Sequence, residues 1–325
     1  MKRIDYYWYS INFISIVLLP LSALFCLISS VRRILYKTGI LQSYRAPLPV
    51  IVVGNISVGG TGKTPLIIEL VKILQSKGKK PGVISRGYGG KAHTWPQVVN
   101  NLSNADLVGD EPQLIFQSTQ CPVVVGPDRC RDIELLYKQF NCDVILSDDG
   151  MQHYKMKRDF EISVVDAKRL FGNGFCLPSG PLRERVSRLK QVDMVLYNGG
   201  GENDIAFSLQ PGKCHTISHI EIKSVELEFF SGKTVHAVAG IGNPDRFFNM
   251  LEKYDINVIK HAFDDHHYFI KSDLIFYDEH PVLMTEKDAI KCNDFELLNH
   301  WSVPVEVKFT ERAESDLQRI IDVIK

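Results

Sequence analysis

The chain has no surplus of either charge: 38 Lys and Arg stand against 38 Asp and Glu in 325 residues. That excludes a global field of the kind that gathers nucleic acid, and leaves partners to be argued from local sites. The seven cysteines (26, 121, 130, 142, 176, 214 and 292) include no C-x-x-C pair. Neither a zinc ribbon nor a disulfide framework is indicated, and a reducing compartment is the default. Internal repeats and low-complexity tracts are absent too. One stretch lacks charge altogether. Ile11 to Ser30 carries no charged side chain, about the twenty residues a helix needs to cross a bilayer. Tyr6, Tyr7, Trp8 and Tyr9 form an aromatic belt on one side, and Arg32, Arg33 and Lys37 follow on the other. A cleavable signal would have a shorter apolar core and a small-residue cleavage site. Asn12, Ser15, Ser22 and Pro20 interrupt the run. It reads as a helix seated in a membrane, spanning it or lying in one leaflet, with a buried core helix as the alternative.

What is present is organised around Ser57-Val58-Gly59-Gly60-Thr61-Gly62-Lys63-Thr64, between the apolar run Val50 to Val53 and the helical pattern of Leu66, Ile67, Leu70, Val71 and Leu74. Strand, glycine turn and Lys-Thr at a helix start make a phosphate cradle, because backbone N–H groups then converge on an anion at a helix N-terminus. Lys63 would reach the outer phosphates and the Thr64 hydroxyl would ligate Mg²⁺. Ser57 stands where the strict pattern G-x-x-x-x-G-K-[ST] has glycine.

Further short apolar runs follow: Gly82 to Ile84, Pro122 to Val125, Val144 to Leu146, Ile162 to Val165 and Met194 to Leu196, with helical patterns between several of them. Continuous rather than alternating runs indicate strands buried on both faces, so the spacing predicts an α/β fold with a mostly parallel sheet and its ligands at the strands' carboxyl ends. Acid collects there. Asp148 and Asp149 close one strand, a pair that repels itself unless a cation lies near. Asp110 and Glu111 open a helical pattern, where Asp110 could equally be an ordinary N-cap. Arg183 and Glu184 follow a rigid Pro-Ser-Gly-Pro turn and could clamp phosphate and join a metal shell, or simply pair with each other.

After the glycines at 199 to 201, Thr216 to Phe230 partly alternates and reads as a half-exposed β-ribbon joining two lobes. A smaller α/β unit follows, with strands at Val235 to Val238, Val258 to Phe263, Val282 to Met284 and, completing that sheet, Val303 to Phe309. The expected division is 1–45 membrane helix and link, 46–215 phosphate-loop domain, 216–235 ribbon and 236–325 smaller domain.

Taken together, the ordered strings Gly54 to Pro65, Ser85-Arg86-Gly87-Tyr88-Gly89, Gly109-Asp110-Glu111-Pro112, Asp148-Asp149-Gly150-Met151-Gln152-His153, Leu182-Arg183-Glu184, Asp265-His266-His267 and Thr285-Glu286-Lys287-Asp288-Ala289 resemble the tetraacyldisaccharide 4′-kinases of Gram-negative lipid A synthesis. Ser57 is normal for that family. The resemblance implies ATP- and Mg²⁺-dependent phosphorylation of the 4′-hydroxyl of an acylated glucosamine disaccharide 1-phosphate at the cytoplasmic face of the inner membrane. No nucleic acid and no obligate protein partner is implied. It further implies Asp110 as the base and His266 as its partner, with Lys63, Thr64 and Arg183 on triphosphate. Asp148, Asp149, Gln152, His153 and Glu184 would form the metal and γ-phosphate neighbourhood. Two other functions fit the residues alone, a soluble small-molecule kinase and a membrane-associated nucleotide switch. The second lacks the N-K-x-D string that guanine readers usually carry.

Overall fold

The computed structural model describes residues 4–92, 94–201, 204–217, 223–295 and 297–324. A 3₁₀ turn at Ile4–Tyr9 leads into helices α1 (Phe13–Val17) and α2 (Leu19–Lys37). Their sidedness is inverted relative to a core helix. On α2 the buried residues are Ser22 and Cys26, one turn apart, while Leu21, Leu24, Leu27, Ile28, Val31 and Ile34 are exposed. The buried stripe docks on the loop at Cys176: Ser22 Oγ donates to Cys176 O at 2.7 Å, and Cys26 is disulfide-bonded to Cys176. That bridge departs from the expectation of unpaired thiols. Packing brings together two cysteines that 150 residues of chain separate, which spacing cannot reveal.

The large lobe begins with β1 (Val50–Gly54), five buried residues of which four are β-branched, and passes through the glycine turn into α3 (Lys63–Ser76). Leu66, Ile67, Leu70, Val71 and Leu74 bury the inner face of α3; each contributes about 1.5–3 kcal/mol by leaving water. β2 (Pro81–Ser85), β3 (Gln97–Val99), α4 (Ala105–Val108), α5 (Asp110–Thr119), β4 (Val123–Val125), α6 (Arg129–Phe140), β5 (Val144–Asp148), β6 (Phe160–Asp166), β7 (Met194–Asn198) and β8 (Ala206–Pro211) continue the series. The first lobe's sheet runs β15-β8-β7-β6-β1-β5-β2-β4-β3, parallel from β8 through β4, where the last strand to arrive, β15 (Val305–Phe309), pairs antiparallel with β8. Strands buried between crossover helices account for the unbroken apolar runs.

The second lobe has β9 (Cys214–Thr216), β10 (Ser224–Val225), β11 (Thr234–Ala239), α7 (Pro244–Glu252), β12 (Asn257–Ala262), β13 (Val282–Thr285), α8 (Glu286–Ala289) and β14 (His300–Val303), in the sheet order β10-β9-β14-β13-β11-β12. The run expected to finish this sheet is split at Pro304. β14 stays, whereas β15 crosses to the large sheet, and α9 (Glu311–Val323) buries Ala313, Leu317 and Ile321 in the large lobe's core. The two-stranded link between the lobes is therefore not a local hairpin. It is formed by 206–216 running against 300–309: β8 pairs with β15, Gly212 N donates to Pro304 O at 3.0 Å midway, and β9 pairs with β14. Within the expected ribbon, β9 and β10 pair at the edge of the small sheet; the part at 218–222, including Ile220 and Ile222, lies outside the described residues.

Candidate active site

The glycine turn closes onto α3 through a left-handed residue. Gly62 has φ +91°, and a Cβ there would come within 2.3 Å of Asn198 Nδ2, so glycine is required by conformation and by space. Asn198, buried at the end of β7, donates from Nδ2 to Thr61 O at 2.9 Å and pins the turn. Val58 N donates to Pro181 O (2.8 Å) and Arg183 N to Ile56 O (2.7 Å), which tie the turn to the 171–183 loop. The same loop holds the N-terminal segment, through Trp8 Nε1 to Pro178 O at 3.0 Å. The N-terminal helices and the phosphate cradle thus share one support.

Lys63 Nζ lies 3.3 Å from Asn55 Oδ1 and 3.5 Å from Asp149 Oδ1. Asp149 also takes Arg183 at 2.7 Å. Burial alone would raise its carboxyl, but Lys63 and Arg183 outweigh that and hold it well below the usual carboxylate range. Asp148 behaves oppositely. Burial, then the negative charges of Glu111 and Asp149, push it up to about 7, although Ser85 Oγ donates to its Oδ2 at 2.9 Å. Oδ1 of Asp148 is buried without a hydrogen-bond donor, and Oδ1 of Asp149 has Lys63 at ion-pair distance but no hydrogen bond. Two carboxylate oxygens on adjacent residues beside a phosphate cradle, neither held by a hydrogen bond, are donors a hard cation accepts.

The remaining residues expected near metal are brought close but otherwise occupied. Glu184 accepts from Gln152 Nε2 (3.1 Å) and from the Tyr154 hydroxyl, with Arg188 Nε at 4.0 Å. Gln152 also donates to Asn55 O at 3.2 Å, linking that group back to β1. His153 is kept neutral, its pKa drawn down to about 4 by burial and by Arg129 and Arg86. No group of three or more His, Cys, Asp or Glu side chains converges as a ready-made metal cage among the described residues.

The second constellation lies where the lobes meet. Gly109, at φ +94° with only 2.9 Å between an ideal Cβ and Tyr88 O, turns the chain so that Asp110 enters the first turn of α5. Asp110 is 5% exposed, and both its oxygens meet His266 Nδ1, at 3.1 and 3.0 Å. Burial would raise its carboxyl; the His266 hydrogen bond and Lys287 prevail and bring it down to about 2. His266, itself at φ +61°, has its pKa raised chiefly by that hydrogen bond. The dyad is joined to the cradle by the small lobe's first loop: His266 N donates to Gly240 O at 3.2 Å, and a Cβ on Gly242 would sit 3.4 Å from Gly60 N. Arg169 Nη2 reaches Gly242 O at 3.4 Å from the other side, and Arg246 pairs with Asp166 across the lobes at 3.2 Å.

A phosphate cradle, two adjoining carboxylates and a carboxylate-imidazole pair at a lobe boundary can be compared with proteins of known activity. The family described as Tetraacyldisaccharide-1-P 4′-kinase matches residues 14–322. The chain belongs to the tetraacyldisaccharide 4′-kinase family.

It is 50% identical over 318 residues to the tetraacyldisaccharide 4′-kinase of Haemophilus influenzae, spanning 97% of this chain and 94% of that one. With the enzyme of Pasteurella multocida it is 48% identical over 325 residues, 98% of this chain and 99% of its relative. Among solved structures, LpxK from Aquifex aeolicus in complex with ATP is similar at a TM-score of 0.80 and 28% identity, covering 96% of this chain and 100% of that one. The chain is accordingly an ATP-dependent 4′-kinase of lipid A synthesis, with ATP and Mg²⁺ as its cofactors. Beside the turn lie three residues that sequence reasoning missed, Asn198, Asp166 and Arg169. Asn198 and Asp166 close β7 and β6 at the same end of the sheet as Asp148, and a polar residue closing an apolar run was the signal available; Arg169, three residues beyond β6, left none.

Proposed function

We propose that Asp110 accepts the proton of the acceptor's 4′-hydroxyl as phosphoryl transfer from ATP proceeds, with His266 holding its carboxylate in place. Phosphoryl transfer has a loose transition state, so alignment and charge neutralisation do most of the work and the base acts late. Lys63 and the backbone N–H groups of the turn from Gly59 through Thr64 hold the phosphates, Val58 N being taken by Pro181 O. Arg183 is available to them by giving up Asp149. Asp148 and Asp149, with the Thr64 hydroxyl, would hold Mg²⁺, which would supply charge neutralisation on the transferring group; Gln152, His153 and Glu184 would support that shell from behind.

The substrate is a tetraacylated glucosamine disaccharide 1-phosphate whose acyl chains stay in the bilayer, and the enzyme meets it at the cytoplasmic face of the inner membrane. The support for this is the inverted α2, with its polar stripe on the protein and its apolar side chains outward. By length and composition it is the one helix among the described residues able to cross a membrane.

The observation that carries the reading is the pairing of Asp110 with His266 across the lobe boundary, with His266 N bonded to Gly240 O, two residues before the Gly242 that meets Gly60. The test is incubation with γ-labelled ATP and an acylated glucosamine disaccharide 1-phosphate, followed by mapping the new phosphate. Label at the 4′-position supports the reading; ATP hydrolysis without labelled lipid contradicts it.

A further inference from the structure

The string Thr285-Glu286-Lys287-Asp288-Ala289 is explained by contacts inside the small lobe at two of its positions. Thr285 Oγ1 accepts from Asp288 N at 3.2 Å and caps α8, and the Asp288 carboxylate accepts from Gly240 N at 2.8 Å and meets Lys291 at 2.7 Å. Lys287 leaves its own lobe. Its Nζ lies 3.0 Å from Glu111 Oε1 and 3.7 Å from Asp110 Oδ2, both on α5 of the large lobe, and 3.7 Å from Asp265 Oδ1 beside His266. The side chain is 16% exposed. An ammonium is taken out of water at great cost unless carboxylates surround it. Here three do, two of them across the boundary.

We propose that Lys287 is a positioning residue that couples lobe closure to the base, fixing the Asp110 carboxylate for the acceptor hydroxyl only when α8 is seated against α5. The inference rests on Asp110 being the base. Lys287 touches no reacting atom and has no capacity to take the proton, because its three carboxylate neighbours, outweighing burial, keep it charged. Asp110 Oδ1 accepts from Glu111 N on its own helix at 2.9 Å, and His266 Nδ1 meets both oxygens. Lys287, 3.7 Å from Oδ2, adds a charge from a second element of the small lobe, so the carboxylate's seat depends on how α8 lies against α5.

The charged groups facing Asp110 are Glu111 on its own helix and His266, Lys287 and Lys291 on the small lobe, with Asp265 behind Lys287. Lys291, at 3.9 Å, is committed to Asp288 at 2.7 Å. Loss of Lys287 would therefore leave Glu111 uncompensated next to a buried Asp110, and repulsion between the two would make Asp110 easier to protonate.

The test compares full-length wild type with Lys287→Met and Lys287→Arg, reading kcat and the KM for ATP and for acceptor between about pH 5 and 9. The inference predicts that Lys287→Met loses kcat by about tenfold or more with the KM for ATP within about twofold. It also predicts an acid-side decline in the variant where wild type is flat, and recovery of most of kcat in Lys287→Arg. A folded Lys287→Met with wild-type kcat, or one whose loss is the same at every pH, overturns it. Should Lys287→Met lack a cooperative melting transition, Lys287→Gln is read by the same two criteria. Asp110→Ala separates the two levels: activity retained there removes the base itself, whereas an inactive Asp110→Ala beside an unaltered Lys287→Met removes only the role of Lys287.

Discussion

Arg183 Nη1 lies 2.7 Å from Asp149 Oδ2, so a cation and a carboxylate that were both expected to face the nucleotide hold each other instead. With Lys63 on the other oxygen, Asp149 is kept ionised before any ligand arrives. Binding then exchanges partners rather than assembling charges from water. Arg183→Ala should raise the KM for ATP by about tenfold, with a smaller effect on the KM for acceptor. Nucleotide titration and steady-state kinetics check this, and an unchanged KM for ATP would leave Arg183 a structural ion pair.

Asn198 is the clamp on the glycine turn. Asn198→Ala removes a buried hydrogen bond and strands Thr61 O, a loss of about 1–3 kcal/mol, felt where the cradle must stay open. The expected outcome is a lower melting temperature together with weaker ATP binding and an unaltered KM for acceptor. Equal weakening toward both substrates would indicate a general loosening of the lobe.

The Asp110–His266 pair makes folding stability depend on pH in two directions. The Asp110 carboxyl, brought from 3.8 to about 2, contributes stability that is present above 3.8 and lost as pH falls toward about 2. His266, raised above 6.5, contributes stability that is full below 6.5 and fades as pH climbs through its folded value. Melting temperatures measured from acid to mildly alkaline pH should therefore decline less steeply at both ends in Asp110→Ala than in wild type. Parallel curves for the two proteins would contradict the assignment.

The outward face of α2 offers a test of membrane seating. Replacing Leu24, Leu27 and Ile28, each more than half exposed, with Lys should abolish co-sedimentation with anionic vesicles, since each charge at bilayer depth costs about 2.5–3.5 kcal/mol. Turnover on a short-chain acceptor in solution should be unaffected. Undiminished sedimentation would contradict membrane seating through this face.

The phosphate cradle was legible because its demands are local: a strand, glycines where a Cβ is forbidden, and a helix start, in that order. The sheet's strands were legible for a similar reason, as Val50 to Val53 and Val144 to Leu146 are apolar without alternation. What sequence could not supply is which sheet a strand joins. Trp301-Ser302-Val303 and Val305-Glu306-Val307 look alike, and only the long-range pairing of Phe309 with Phe207 places the second run in the other lobe. Glu184 was expected at metal on its position after a rigid turn; its contacts with Tyr154 and Arg188 come from packing and leave no local trace. Cys26 and Cys176 met for the same reason.

The central claim is that Asp110 acts on the acceptor hydroxyl and nowhere else, and the direct measurement is Asp110→Ala assayed for transfer and for ATP binding on one preparation. The account predicts turnover reduced by about 10²–10⁴-fold with the dissociation constant for ATP essentially unchanged. Turnover near wild type, or a matching loss of ATP affinity, would contradict it.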